Sequence, residues 1–447
     1  MPAGGGLLQL VAQGKQDVFL TGNPQITWFK MVYRRYTNFA IESQAIFFDG
    51  DPDFGKRLTC TIPRKGDLLG PLMLEVTLPE VRLTDGSLTA YVNAVGHALI
   101  EEITLEIGEQ EIDRQTGEWM EIWSELSVPA GQRQGFNAMI GRVDGGLPPS
   151  TTVPPLTDAV SLYGSYQYGA MKLYIPLQFW FNKNPGLYLP LLAMQYHTVR
   201  LNMKLRSLAQ LVFPFTPNVT GAGVCPVLSQ PQLTKIIDIR LYGDYVHLDT
   251  EERRRFTSNS HEYLIEQIQY TPKISIPAAN PTATIPIEFN HPIREMLFVL
   301  QRDAMEGCNE WFNFSSTAIQ EVGIRRDILQ QAVIQLDGYD RFEVRDAGYF
   351  RLVQPFQHHT NVPINQFIYC YSFALKPEEM QPSGSLNASR IDAMKLLVAM
   401  RPDPPSTLAQ TDLNYVPPRG NCSIRIYAKN HNVLRVVNGF AGLVFKI

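Results

Sequence analysis

Cysteine is scarce in this sequence: five are present, at positions 60, 225, 308, 370 and 422, and no two stand in a CxxC pair. Thiolate zinc sites and disulfide frameworks both need closely spaced cysteines, so neither is indicated, and a reducing intracellular setting fits best. A surplus of one charge is also missing. With 39 Lys and Arg against 43 Asp and Glu, the net charge is −4, which gives no electrostatic reason to expect nucleic acid as the main ligand. No apolar run approaches the roughly 18 residues needed to cross a bilayer. The opening Met1-Pro2-Ala3-Gly4-Gly5-Gly6 has neither the basic nor the apolar region of a secretory signal. The expectation is a soluble chain that is not conventionally secreted.

The common motifs of catalysis are absent as well. There is no GxxxxGKS/T phosphate loop, no GxGxxG, no HExxH and no GxSxG. The eight histidines are dispersed, and only His358 and His359 are adjacent; in a strand such neighbours point to opposite faces and would not share a metal. Ser260-His261-Glu262 has the residue types of a triad, but those roles require convergence in space rather than adjacency. The chain is expected not to be an enzyme, with no catalytic, cofactor-binding or metal-binding residue and no cofactor.

What is present is apolar and aromatic: 45% of residues are hydrophobic and 11% aromatic, with only 18% charged, the balance of an ordered protein with a substantial core. The segment from Lys172 to Leu205 organises the rest. Tyr174 to Phe181 is aromatic and branched, Ala193 to Leu205 alternates, and Asn182-Lys183-Asn184-Pro185-Gly186 supplies turn chemistry between them. A similar unit recurs as Phe367 to Leu375, a polar loop, and Ile391 to Met400. A second pair of segments, Ile103 to Ile112 and Val333 to Val344, reads as two hairpins, each followed by Gly and an aromatic (Gly117 and Trp119; Gly348 and Tyr349). The repetition points to an internal duplication; two β domains sharing such features by chance remain the alternative. Phe179 and Phe373 are expected in the cores of the aromatic strands.

In chain order, residues 1–27 read as an N-terminal arm. Asn23 and Pro24 are placed as a cap and first turn of a helix running through Ile26, Phe29, Val32 and Tyr33, with Lys30, Arg34 and Arg35 basic. Such a helix could meet a membrane surface or a partner groove, or pack on its own domain. Short strands with turns between them then argue for a sandwich over 28–215. Trp119 to Leu126 is expected as a short helix, and residues 127–170 as a long excursion. Clustered Pro and Gly at 213–232 mark a boundary, with a linker at 216–232 and a second domain at 233–447 that opens on the strand Ile236 to Val246. Asp249 to Phe256, acidic then basic, suits a short helix. Asn-x-Ser/Thr sequons occur at Asn218, Asn313, Asn387 and Asn421; the first three are candidate glycosylation sites, with chance occurrence as the alternative.

Five blocks carry a resemblance. They are GGLLQLVAQGKQDVFLTGNPQITWFKMVYRRYTNFAIES (Gly5 to Ser43), VGHALIEEITLEIG (Val95 to Gly108), LYIPLQFWFNKNPGLYLPLLAMQYH (Leu173 to His197), YSFALKPEEMQPSGSLNASRID (Tyr371 to Asp392) and IYAKNHNVLRVVNGFAGL (Ile426 to Leu443). Together they resemble the major capsid proteins of nucleocytoplasmic large DNA viruses, of the phycodnavirus and iridovirus type. The resemblance implies an all-β fold of two tandem eight-stranded antiparallel jelly-roll sandwiches, with short helices in loops and an N-terminal arm. It also implies homotrimers that form pseudo-hexameric capsomers and tile an icosahedral virion shell assembled in the host cytoplasm. The partners it implies are neighbouring capsomers and, through an inward-facing N-terminal stretch from Gly4 to Tyr36 bearing Lys30, Arg34 and Arg35, minor capsid proteins and the internal viral membrane. No direct specific nucleic-acid binding is expected. A minor capsid or scaffold protein of the same lineage, or a carbohydrate-binding jelly-roll module, are the alternatives.

Overall fold

The computed structural model describes residues 4–26, 28, 33–84, 86, 89–142, 170–212, 230–317, 325–402 and 420–445. Two units separate, Met1–Phe39 and Ala40–Ile447. In the first, the described residues form short helices at Gly5–Val11 and Val18–Thr21, neither of which buries a side chain. The helix expected from Asn23 is not formed where it can be followed: Asn23 has a φ of 51°, incompatible with the extended backbone of an N-cap. Residues 24–26 and 33–38 are irregular, and the remainder of that span (27 and 29–32) lies outside the described residues.

The larger unit is built from four sheets. In its first half, Phe39–Ile46, Asp238–Leu248, Leu68–Leu78 and Met171–Pro176 lie side by side in that order, and Arg57–Thr61, Val199–Leu205, Ile100–Ile107 and Gln110–Thr116 make the facing sheet. In the second half the orders are Ile274–Ile276, Cys422–Val437, Pro292–Arg302, Tyr369–Ser372 and, facing them, Thr282–Ile287, Met394–Met400, Leu329–Leu336, Tyr339–Asp340. Numbering these principal strands along each half gives the same result twice: 1-8-3-6 in one sheet and 2-7-4-5 in the other. That is the connectivity of a jelly roll, two Greek keys folded into a sandwich. The duplication is therefore topological. The second half adds three short or flanking strands, His261–Tyr270, Leu386–Asn387 and Phe440–Leu443, to its first sheet.

Alternation explains why these segments fold so. Along Leu68–Leu78, Leu72, Leu74, Val76 and Leu78 are buried while Met73, Glu75 and Thr77 face outward half-exposed, the period of a strand with one face on a core. Both predicted hairpins are present. Gly108 and Glu109 turn the first and Asp337 and Gly338 the second, all four with positive φ, as two-residue turns matching the twist of the flanking strands require.

Three expectations change. The two strands of the unit Lys172 to Leu205 are shorter than expected and lie in facing sheets: Met171–Pro176 joins Leu68–Leu78 and Val199–Leu205 joins Ile100–Ile107, with single turns of tight helix at Trp180–Asn182 and Pro185–Leu187 on the way. Phe179 and Phe181 are fully buried between them, although Phe373 of the second unit is only half-buried. The strand assigned to the opening of the second domain belongs to the first. Asp238–Leu248 pairs with Leu68–Leu78 along eight register positions, because its buried Ile239, Leu241 and Tyr245 complete the first core. The Pro- and Gly-rich stretch therefore precedes the last strand of the first sandwich, and the halves divide near the helix Thr250–Ser258. Lastly, Cys308 is disulfide-bonded, whereas Cys60, Cys370 and Cys422 are buried free thiols.

Candidate assembly site at the junction of the halves

Between the hairpin Ile100–Thr116 and the next strand, the first half inserts the helix Gly117–Ser127, capped by the Thr116 hydroxyl, which accepts the Trp119 N–H at 3.1 Å. It is buried on every side from Gly117 to Leu126. Met120 points into the first core. Trp119, Ile122, Trp123 and Leu126, at helical spacing, pack instead on the outer face of the second half's sheet, against Leu297, Val299, Cys370 and Tyr427. This third apolar cluster fixes how one jelly roll stands against the other.

Charges are buried around it. Glu118 accepts a hydrogen bond from the Tyr427 hydroxyl at 3.0 Å and pairs with Arg425 at 2.5 Å. Asp113 accepts the Ile268 N–H at 3.0 Å across the junction; burial pushes its carboxyl up to about 7 despite that bond. Glu266 holds Lys429 at 3.0 Å, Lys183 at 3.4 Å and Arg294 in direct contact. Burial pulls the Glu266 carboxyl upward, but Lys429, Lys183 and Arg294 outweigh it and hold it down at about 2. Burial also lowers the Lys429 ammonium, to about 7, and that ammonium sits 3.9 Å from the centre of the Trp123 ring, with Lys183 at 4.7 Å. His359 lies between Glu295 at 3.2 Å and Glu378 at 3.0 Å. Burial works against its protonation, but the Glu295 charge prevails and raises its pKa well above 6.5.

A pH dependence follows with a definite sign. Because the folded state holds the His359 proton more tightly than the unfolded chain, this triad contributes fully below about pH 6.5 and loses its contribution as pH rises through the higher folded value. The stability gap between the protein and His359→Gln, measured by urea unfolding from pH 6 to 9, should narrow as pH rises. A gap that is constant over that range would show that His359 is not protonated in the fold.

The residues singled out from the sequence do not converge. Arg34 and Arg35 are exposed in the arm, and Lys30 and Asn218 lie outside the described residues. Asn313 is half-buried, and its amide nitrogen donates to Glu310 Oε2 at 2.5 Å and to the Thr317 carbonyl at 3.0 Å. Asn387 is exposed, beside the turn Ala388–Arg390. No group of three or more potential metal ligands occurs among the described residues. The charged cluster of Glu266, Arg294, Glu295, His359 and Lys429 was missed. Its available signal is Pro292–Arg302, where Arg294 and Glu295 interrupt an otherwise apolar run that is buried almost throughout.

What this arrangement builds is two sandwiches of the same strand order packed through a shared apolar cluster. Residues 27–249 match the model for the major capsid protein N-terminus, and residues 252–442 the model for the large eukaryotic DNA virus major capsid protein. The chain belongs to the major capsid protein family of large eukaryotic DNA viruses. The boundary between the two matches falls after Asp238–Leu248, where the sheet pairing also divides the halves. Among curated relatives, the major capsid protein of Pyramimonas orientalis virus is 39% identical and that of Paramecium bursaria Chlorella virus 1 is 36% identical, each match spanning 99% of both chains. Among solved structures, the PBCV-1 virus capsid superposes with a TM-score of 0.73 at 31% identity, over 94% of this chain and 100% of that one. The Faustovirus major capsid protein superposes with a TM-score of 0.72 at 14% identity, over 95% of this chain and 94% of that one, which shows a shared fold. As a major capsid protein the chain is a structural component of the virion shell and not an enzyme.

Proposed function

We propose that three copies of this major capsid protein form a homotrimer whose six jelly rolls make a pseudo-hexagonal capsomer, and that these capsomers tile an icosahedral shell assembled in the host cytoplasm. The observation that carries the reading is the repeated strand order in the two halves. Two like wedges per chain become six like wedges about a three-fold axis, so a hexagonal tile needs only three chains. The N-terminal unit serves as an arm toward minor capsid proteins and the internal membrane; its exposed Leu7, Leu8, Leu10, Phe19, Leu20 and Trp28 are the apolar surface that such partners would cover. Of the candidate glycan acceptors, the exposed Asn387 fits better than Asn313, whose amide nitrogen is already engaged. Light scattering on the purified protein tests the capsomer directly. With a chain of 50.5 kDa, a stable species at about three times that mass is expected for a closed C3 assembly, and a clean monomer at micromolar concentration would overturn the reading.

A further inference from the structure

The helix of the first half that seals the junction has a counterpart in the second half whose apolar side chains are left exposed. After the second hairpin the chain turns through Tyr349–Val353, a wide π-helical turn, into the helix Gln354–His358. The two helices can be aligned by the residue each sends into its own core: Met120 in the first, Phe350 in the second, both fully buried. Two, three and six residues further on stand Ile122, Trp123 and Leu126 in the first helix and Leu352, Val353 and Phe356 in the second. The first trio is at most 3% exposed against the neighbouring half; the second is 36%, 41% and 79% exposed. Even the buried polar residue between them is repeated, Ser124 in one and Gln354 in the other. Two further exposed apolar residues adjoin this trio. The Ile364 carbonyl accepts from Arg351 of the same helix at 2.5 Å, and the Leu375 carbonyl lies 3.0 Å from His358 Nδ1; Ile364 is 61% and Leu375 75% exposed.

The receiving surface is equally specific. Within the chain, the first helix lies on the outer face of the 1-8-3-6 sheet of the second half, over Leu297 paired with Cys370 and Tyr427. The same sheet of the first half has the corresponding outer rows, Met73 with Pro176 and Tyr242, and Glu75 with Tyr174 and Arg240. Met73, Glu75 and Tyr242 are half-buried, and Tyr174 is 40% exposed.

We propose that Leu352, Val353 and Phe356, with Ile364 and Leu375 beside them, dock on the outer face of the first-half sheet of a second copy of the chain, around Met73, Tyr174 and Tyr242. The contact between chains thereby repeats the contact within each chain. This rests on the homotrimer reading and deepens it: a helix-to-sheet contact joining unlike surfaces is heterologous, and it closes into a ring when internal and external contacts alternate around six wedges. An apolar patch on a soluble unit that repeats an interface already built in the same chain has an evident occupant.

The test compares the full chain with Phe356→Asp and with Leu352→Asp by light scattering and thermal melting. The expected result is a wild-type trimer and variants that melt normally as monomers, with trimer affinity at least about 100-fold weaker, the scale of a hot-spot anchor. A wild-type trimer with variants that stay trimeric at the same concentrations overturns the docking surface and leaves the trimer standing; a monomeric wild type overturns both. Should the variants misfold, Phe356→Cys combined with Tyr174→Cys decides. Oxidation should give covalently linked chains on a non-reducing gel that neither single substitution gives, and absence of linked chains from a trimeric sample overturns the proposal.

Discussion

Replacing Glu266 by Leu should cost about 3–5 kcal/mol of unfolding free energy, the range for removing one partner of a buried ion cluster. The reason lies in what would be left behind. Glu266 is the common counter-ion of Lys429, Lys183 and Arg294, and Lys429 and Arg294 are almost fully buried. Without the carboxylate, Arg294 loses its ion-pair partner and keeps the Pro377 and Glu379 carbonyls, while Lys429, already lowered to about 7 by burial, keeps the Pro377 carbonyl and the Trp123 ring and gives up its proton. Glu266→Gln keeps the shape but not the charge, and should recover less than half of the loss. Acid should imitate it. With the folded carboxyl held at about 2 and an ordinary value near 4.3 when unfolded, the stabilisation is present above about pH 4.5 and is lost as pH falls toward 2. Urea midpoints for the protein and Glu266→Leu should therefore converge in acid. A loss under about 1 kcal/mol at neutral pH would mean that water reaches the cluster and screens it.

The fold was legible wherever a pattern is local. Hairpin turns announce themselves through Asp337-Gly338 and Gly108-Glu109, and the helix after the first hairpin through Met120, Trp123 and Leu126. What could not be read was which sheet a strand joins. Asp238–Leu248 alternates as any half-buried strand does, and its partner, Leu68–Leu78, is far away in sequence. The nearby Pro and Gly cluster gives a stronger local signal for a boundary than the strand gives for membership, so sequence places the boundary before this strand and the sheet pairing places it after. The helix start at Asn23 differs for another reason: an Asn-Pro pair starts helices and turns alike.

The junction was the least legible part, because its chemistry is assembled from distant segments. Glu118 and Arg425, or Glu266 and Lys429, read singly as solvent-facing charges, and the usual reading of a charged residue is an exposed one. Only the run around Arg294 and Glu295 departs from that reading. A charged pair flanked by Ile293 and by Met296 through Leu300 has no exposed face to use, and so signals a buried partner. The second-half helix is the converse case. Leu352, Val353 and Phe356 look like core residues in sequence, and it is their exposure in a single chain that gives them meaning.

Trp123→Ala is expected to cost about 3–5 kcal/mol, the range for truncating a fully buried aromatic, and to do so without loosening either sandwich. The indole belongs to neither jelly-roll core; it lies in the cluster between them, stacked on Trp119 at 5.6 Å and flanked by the Lys429 and Lys183 ammonium groups. Its removal opens a cavity at the junction and deprives two cations of a ring face, an interaction worth roughly 2 kcal/mol when desolvated. The long strand Cys422–Val437 still ties the halves together, with Ile424 and Ile426 in the second core and Leu434 and Val436 in the first. The variant should therefore unfold in two resolved calorimetric transitions where the parent shows one, as coupling between the halves falls below the stability of each. Phe179→Ala, buried wholly inside the first core, should cost a similar amount yet keep a single transition. If Trp123→Ala also unfolds in one step with an unchanged midpoint, the apolar cluster at the junction does not couple the halves, and the strand shared by both cores does.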